Sequence, residues 1–245
     1  MVNKHKCFAF FCVWHTKEMI WIYNINKDYF KVIDTEKKAY WLGFLYADGC
    51  ILENRNKNTG RLKAMVLELS LKIDDKYHVQ KFLDDIESEA PIREKKIKLG
   101  DKTHCACSVS VCCTEMCRDL IKLGCTPRKS ATITFPDNDI LPESLKHHFI
   151  RGYFDGNGVA GIYYLKDYSR YNYRYGFAGS EDMMNSLMDF FEPHGFNKVA
   201  LQDSGNGKQF TYSNKGRMKK FGEIIYKDAT VSLKRKHDVF MRIAP

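Results

Sequence analysis

The sequence predicts an α+β fold built from two αββαββα repeats related by a pseudo-twofold axis. Three observations predict it. Hydrophobic patterns follow the order helix, hairpin, helix, hairpin, helix, and the order occurs twice. Equivalent positions recur at a near-constant separation, 109 residues from Asp48 to Asn157 and 107 from Lys129 to Lys236. Lys plus Arg number 39 against 30 Asp plus Glu, a formal net charge of +9 on a chain of 245 residues. Two copies make a pseudo-dimer and not a solenoid, and excess positive charge selects a polyanionic partner. Twofold symmetry points to duplex DNA, whose antiparallel strands share it.

The first repeat is read over residues 33–135. Asp34 and Thr35 cap a helix that runs through TEKKAYWLGFLYADGC to Asp48, with Gly49 as its stop. Leu67 to Leu71 alternates as a half-buried strand, and 92–98 and 105–113 are strand-like, with hydrophilic stretches 53–61 and 99–103 as hairpin loops. Asp75 to Ile86 reads as an amphipathic helix burying Tyr77, Phe82, Leu83 and Ile86, and Glu115 to Leu123 as a short helix stopped by Gly124.

The second repeat, residues 136–245, repeats the series. Pro142-Glu143-Ser144 opens a helix through KHHFIRGYFDGNG; strands at 159–165 and 171–178, a helix at 181–191, strands at 197–203 and 208–213 and a helix at 215–226 follow. Residues 1–32 form an extension whose apolar run Cys7 to Trp14 is too short to span a bilayer and lacks a small-x-small cleavage site. It reads as a strand or an ill-ordered extension, and its apolar run is better packed against the fold than laid in a DNA groove as an extra arm.

Nine cysteines, an odd count without a secretory signal, argue against a disulfide framework and for a reducing, intracellular compartment, and the lack of an apolar run of roughly 20 residues argues against a membrane partner. The cluster from His104 to Cys117 contains no Cys-x-x-Cys pair, and strand parity puts Cys105, Cys107, Val109, Val111 and Cys113 on one core face, so zinc is not expected there.

Trp41-Leu42-Gly43-Phe44-Leu45-Tyr46-Ala47-Asp48-Gly49 and Ile150-Arg151-Gly152-Tyr153-Phe154-Asp155-Gly156-Asn157-Gly158 resemble the paired motifs of the single-chain LAGLIDADG homing endonucleases. With the Arg-Lys positions late in each half, the resemblance covers residues 33–245. It implies a monomeric, site-specific endonuclease of double-stranded DNA in which a saddle of antiparallel strands reads a long target. It also implies Mg2+ as the natural metal, Ca2+ as a non-catalytic substitute, and cleavage across the minor groove that leaves short 3′ overhangs.

The chemistry of the motif can be argued independently. A helix ends in unpaired carbonyls and partial negative charge, so a carboxylate there makes a site for a hard divalent cation. Asp48 with the carbonyl of Ala47, and residue 157 with the carbonyl of Gly156, are the candidate metal ligands. Gly43 and Gly152 lie inside their helices, where glycine costs about 1 kcal/mol relative to alanine, so the helices are expected to cross with backbones in contact. Two acidic ends brought together could hold metals against two scissile phosphates.

Asn157 departs from the family pattern, which places an acid there. An amide oxygen supplies no charge, so the second site should hold metal poorly, and the enzyme is expected to be impaired or to nick. Asp155 points about 200° away around the helix and is a poor replacement. Lys129 and Lys236 resemble the basic residues of the two family active sites, where a lysine can stabilise developing charge; a phosphate contact or a solvated lysine is the alternative.

DNA-contact candidates are Arg55, Lys57, Arg61, Arg93, Lys95 and Lys98 in the first half and Lys166, Arg170, Asn172 and Arg174 in the second, the last four outward if Tyr171, Tyr173, Tyr175 and Phe177 take the buried parity. A different function class, a binding protein such as an intron maturase or DNA-binding regulator that kept the fold and lost cleavage, is favoured by Asn157; Asp48, Lys129 and Lys236 favour retained chemistry.

Overall fold

The structure is a computed structural model and describes residues 7–11, 21–99, 102–129 and 132–243. The fold is α+β, with two four-stranded antiparallel sheets, and no described helix is long and apolar enough to cross a membrane. Most of the N-terminal extension and of its apolar run, residues 1–6 and 12–20, lies outside the described residues; β1 (Cys7–Phe11) pairs antiparallel with β2 (Trp21–Ile25).

Two compact units are formed by the described residues of Met1–Val32 with Asp48–Pro127, and of Ile33–Ala47 with Arg128–Pro245. The first carries β3 (Gly49–Arg55), β4 (Leu62–Lys72), α2 (Lys76–Asp85), β5 (Arg93–Leu99), β6 (Lys102–Cys112) and α3 (Thr114–Lys122), with sheet order β3-β4-β6-β5. Period-two alternation buries Met65, Leu67, Leu69 and Leu71 of β4 with Cys107, Val109 and Val111 of β6. Phe82, Leu83, Met116, Cys117 and Leu120 of α2 and α3 complete this core, largely aliphatic and thiol. Burial pushes the Cys117 thiol up, so it stays protonated as an apolar packing group.

The second unit carries α1 (Glu36–Asp48) as far as Ala47, α4 (Lys146–Asn157), β7 (Gly158–Leu165), β8 (Arg170–Gly179), α5 (Glu181–Phe191), β9 (Gln202–Ser204), β10 (Gly207–Tyr212), α6 (Lys215–Ile225) and α7 (Lys234–Met241). Its sheet order is β7-β8-β10-β9. The core is aromatic: Phe221 lies 4.8 Å from Phe191, 5.3 Å from Phe154 and 5.7 Å from Phe177, ring centre to ring centre. Thr35 begins α1 by accepting from the backbone of Lys38 and Ala39, and Ser180 and Asn214 cap α5 and α6 through side chains that accept from Met183 and Arg217 N–H.

Several expectations need correction. Tyr77 is exposed, and His78 and Val79 take its place on the buried face of α2. Cys105 is exposed although it shares its parity with the buried Cys107, because it lies toward the hairpin end of β6, where Leu99 pairs with Lys102. Tyr171 is 61% exposed and Tyr173 half-buried; their parity matches Tyr175 and Phe177, but the β7–β8 hairpin overhangs the helical layer. The strand read over 197–203 shortens to β9, and α7 was not anticipated, since RKHDVFM carries only a weak apolar stripe.

Candidate functional site

Each motif helix runs into a strand without a loop: α1 ends at Asp48 and Gly49 starts β3, α4 ends at Asn157 and Gly158 starts β7. The helix bodies meet at their glycines. A Cβ on Gly43 would lie 2.0 Å from the carbonyl oxygen of Phe149, and one on Gly152 would lie 1.9 Å from that of Tyr40. Phe149 and Tyr40 each precede the partner glycine by three residues, so the contact is symmetric, and Tyr46 packs edge-on against Phe149 at 5.0 Å.

A buried polar network surrounds the C-terminal half of α4. Arg151 is fully buried; its Nε donates to Val231 O (3.0 Å), Nη1 to Ile225 O (3.1 Å) and to His148 Nδ1 (2.8 Å), and Nη2 to Glu36. Because arginine can only donate, His148 Nδ1 accepts and the imidazole is neutral. Burial, then the neighbouring guanidinium, lower the His148 pKa to about 4. Glu36 also accepts from the backbone N–H of Thr230 (3.0 Å) and from its hydroxyl, which ties the first turn of α1 to the segment before α7.

Asp155 is likewise fully buried. Its carboxylate accepts from Tyr40 Oη (2.8 Å), Tyr226 Oη (3.0 Å) and Leu233 N–H (2.6 Å). Burial raises its pKa and the three donors oppose that rise, while burial and the carboxylate push both tyrosines well above their ordinary range. Lys236, also buried, directs its ammonium at three carbonyls of the motif end: Phe154 (2.6 Å), Gly156 (3.0 Å) and Gly158 (2.6 Å). All three of its N–H donors are thus engaged, and the ammonium neutralises the negative end of α4.

No protein-family model matches the sequence, and no curated protein matches it. Solved structures do. The chain is similar to the LAGLIDADG homing endonuclease I-GzeII in complex with its DNA target (TM-score 0.59, 12% identity, 84% of this chain and 88% of that one). It is also similar to the LAGLIDADG meganuclease I-AabMI bound to uncleaved DNA (0.52, 14%, 83% and 89%). A third neighbour is I-SmaMI bound to uncleaved DNA in the presence of calcium ions (0.54, 13%, 86% and 90%). The chain has the LAGLIDADG homing endonuclease fold.

Within that fold the two LAGLIDADG ends differ chemically. Asp48 and Ala47 are half-buried, and the carboxylate and carbonyl are hard oxygen donors that fit a divalent cation. At the other end Asn157 supplies a neutral amide, and the Gly156 carbonyl already accepts from the Lys236 ammonium. A positive charge 3.0 Å from one of two neutral donors does not fit a second divalent ion. Among the described residues no group of three or more His, Cys, Asp and Glu side chains is arranged to hold a metal. Lys129 is as buried as Lys236, 7% against 6% exposed.

The DNA-contact candidates fall on hairpins and open sheet faces. Arg55, Lys57 and Arg61 are exposed around the β3–β4 turn, and Arg55 spans that turn by bonding Glu53 and Gly60 O. Arg93 and Lys95 are exposed on β5, and Arg93 stands opposite Ser108 on the face away from Leu69 and Leu71; the side chain of Lys98 lies outside the described residues. Lys166 and Arg170 flank the β7–β8 turn, and Arg174 and Asn172 lie on the face opposite Tyr175 and Phe177. The same face carries Gln209 beside Gln202, and Thr211 opposite Gly176, none of them anticipated. The alternation of KQFTY, which buries Phe210 and Tyr212, was the signal for them.

Proposed function

We propose that this chain is a monomeric, site-specific DNA-binding protein of the homing-endonuclease type whose hydrolysis of the two strands is unequal, with the Asp48 end competent and the Asn157 end impaired. The chemical asymmetry of the two motif ends carries the reading. The fold likeness to DNA-bound relatives and the net charge of +9 support duplex DNA as the partner. The exposed arginines, lysines and amides on the open sheet faces suit phosphate contacts and base edges.

In this reading the Asp48 carboxylate and the Ala47 carbonyl would hold Mg2+, which would supply Lewis acidity for phosphodiester hydrolysis. Asp48 contributes the charge that holds the cation, and Lys129 stabilises negative charge on the phosphate. Lys236 holds the α4 end in shape. The repeats over 33–135 and 136–245 would each contribute one sheet to the DNA. Asn157 and the engaged Lys236 also favour a second reading, a maturase or DNA-binding regulator that keeps the fold without cutting. Selection of bound duplexes from a randomised pool in Ca2+, followed by binding tests of the selected site, checks the shared premise; loss of selectivity for any sequence contradicts both readings.

A further inference from the structure

Asp155 sits in the motif but cannot reach the motif end; its carboxylate is turned into the core, where it holds Leu233 N–H. Leu233 is the N-cap of α7, and its carbonyl in turn accepts from Lys236 N–H at 3.0 Å. The Lys236 side chain then returns to Phe154, Gly156 and Gly158 on either side of Asn157. The path closes on itself, from α4 through Leu233 and Lys236 back to α4. Each helix supplies the charge that the other's terminus needs: a carboxylate at the positive start of α7 and an ammonium at the negative end of α4. In the first motif the matching position is Tyr46, which is packed against Phe149 and has no carboxylate to offer such a partner.

We infer that Asp155 is a positioning residue: it sets the first turn of α7 and, through Lys236, fixes the carbonyls and the side chain of the second motif end. The consequence of this clamp for strand cutting rests on the endonuclease reading above.

The test uses the full chain labelled with 15N-lysine and no DNA. The Lys236 ammonium resonance, assigned by its absence in Lys236→Arg, is expected to be protected from exchange with water. In Asp155→Ala that exchange should accelerate about tenfold, the weight of one cap hydrogen bond. Asp155→Asn, whose amide oxygen can still accept from Leu233 N–H, should retain most of the protection. Phe196→Leu, a core change elsewhere in the unit, should leave it intact. Unaltered protection in Asp155→Ala, equal loss in Phe196→Leu, or an unprotected ammonium in the parent chain overturns the inference. If Asp155→Ala does not fold, Lys236→Met reads the clamp from the other side: Leu233 amide exchange should accelerate about tenfold, and no change there overturns it. A chain that shows the protected ammonium yet cuts no DNA overturns the nuclease reading and leaves the clamp standing.

Discussion

Gly43 and Gly152 face each other's helices symmetrically, each with its Cα hydrogen against the carbonyl three residues before the other glycine. No side chain fits there. Gly152→Ala should therefore force the helices apart and destabilise the chain by about 3 kcal/mol, the upper part of the usual overpacking range. For a chain of this size that lowers Tm by about 6–12 °C, measurable by thermal melting. A melting point within about 2 °C of the parent would contradict the contact.

Among the described residues Arg151 and Glu36 form the most buried ion pair. Glu36→Ala leaves a fully buried guanidinium without its carboxylate and should cost about 3–5 kcal/mol. Adding Arg151→Met should recover a large part of that loss, because the unpaired charge is removed with it. Urea melts of the single and double variants test this; additive losses would show that the pair is not coupled.

His148 makes stability depend on pH. Its folded pKa of about 4 lies below the ordinary 6.5, so the unfolded chain takes up the proton first as pH falls. This contribution is full above about pH 6.5 and is lost on the way down to about 4. His148→Asn keeps an acceptor for Arg151 and does not titrate. The gap in Tm between the two proteins should change across that window and be flat above it.

How much of this was legible in the sequence depended on what each feature required. The motif helices, their glycines and the repeated element order could be read because local periodicity and a fixed separation encode them. Position 181–191 was legible to the residue because Ser180 and the Met and Phe spacing coincide. The overhang that exposes Tyr171 was not, since parity says which face a side chain takes and not how far the covering helices extend. Asp155 and Lys236 stand out in the sequence, but their connection through Leu233 needs α7, a helix whose sequence hides its apolar side. Arg151 stood in the open within the motif; nothing local indicated that Glu36, 115 residues away, would neutralise it.

Binding to a selected duplex should fall steeply with salt. Contact with six to ten phosphates predicts a loss of about 10³–10⁵ in affinity between 50 and 200 mM salt. Arg174→Ala, on the open face of β8, should change the preferred base at one step by about 1–3 kcal/mol if it reads a base edge. Lys166→Ala, beside the turn, should weaken all sequences alike and reduce the salt slope by about one. Both are read by competition binding, and identical effects of the two variants would contradict the division of roles.

In the proposed reading Asn157 makes the two motif ends unequal in strand cutting. The most direct measurement follows supercoiled plasmid carrying the selected site in Mg2+, with the parent chain and with Asn157→Asp. The expected outcome is nicked circles at most from the parent chain and linear DNA from Asn157→Asp. Linear product from the parent chain, or intact plasmid with both proteins while both bind the site tightly, would contradict it.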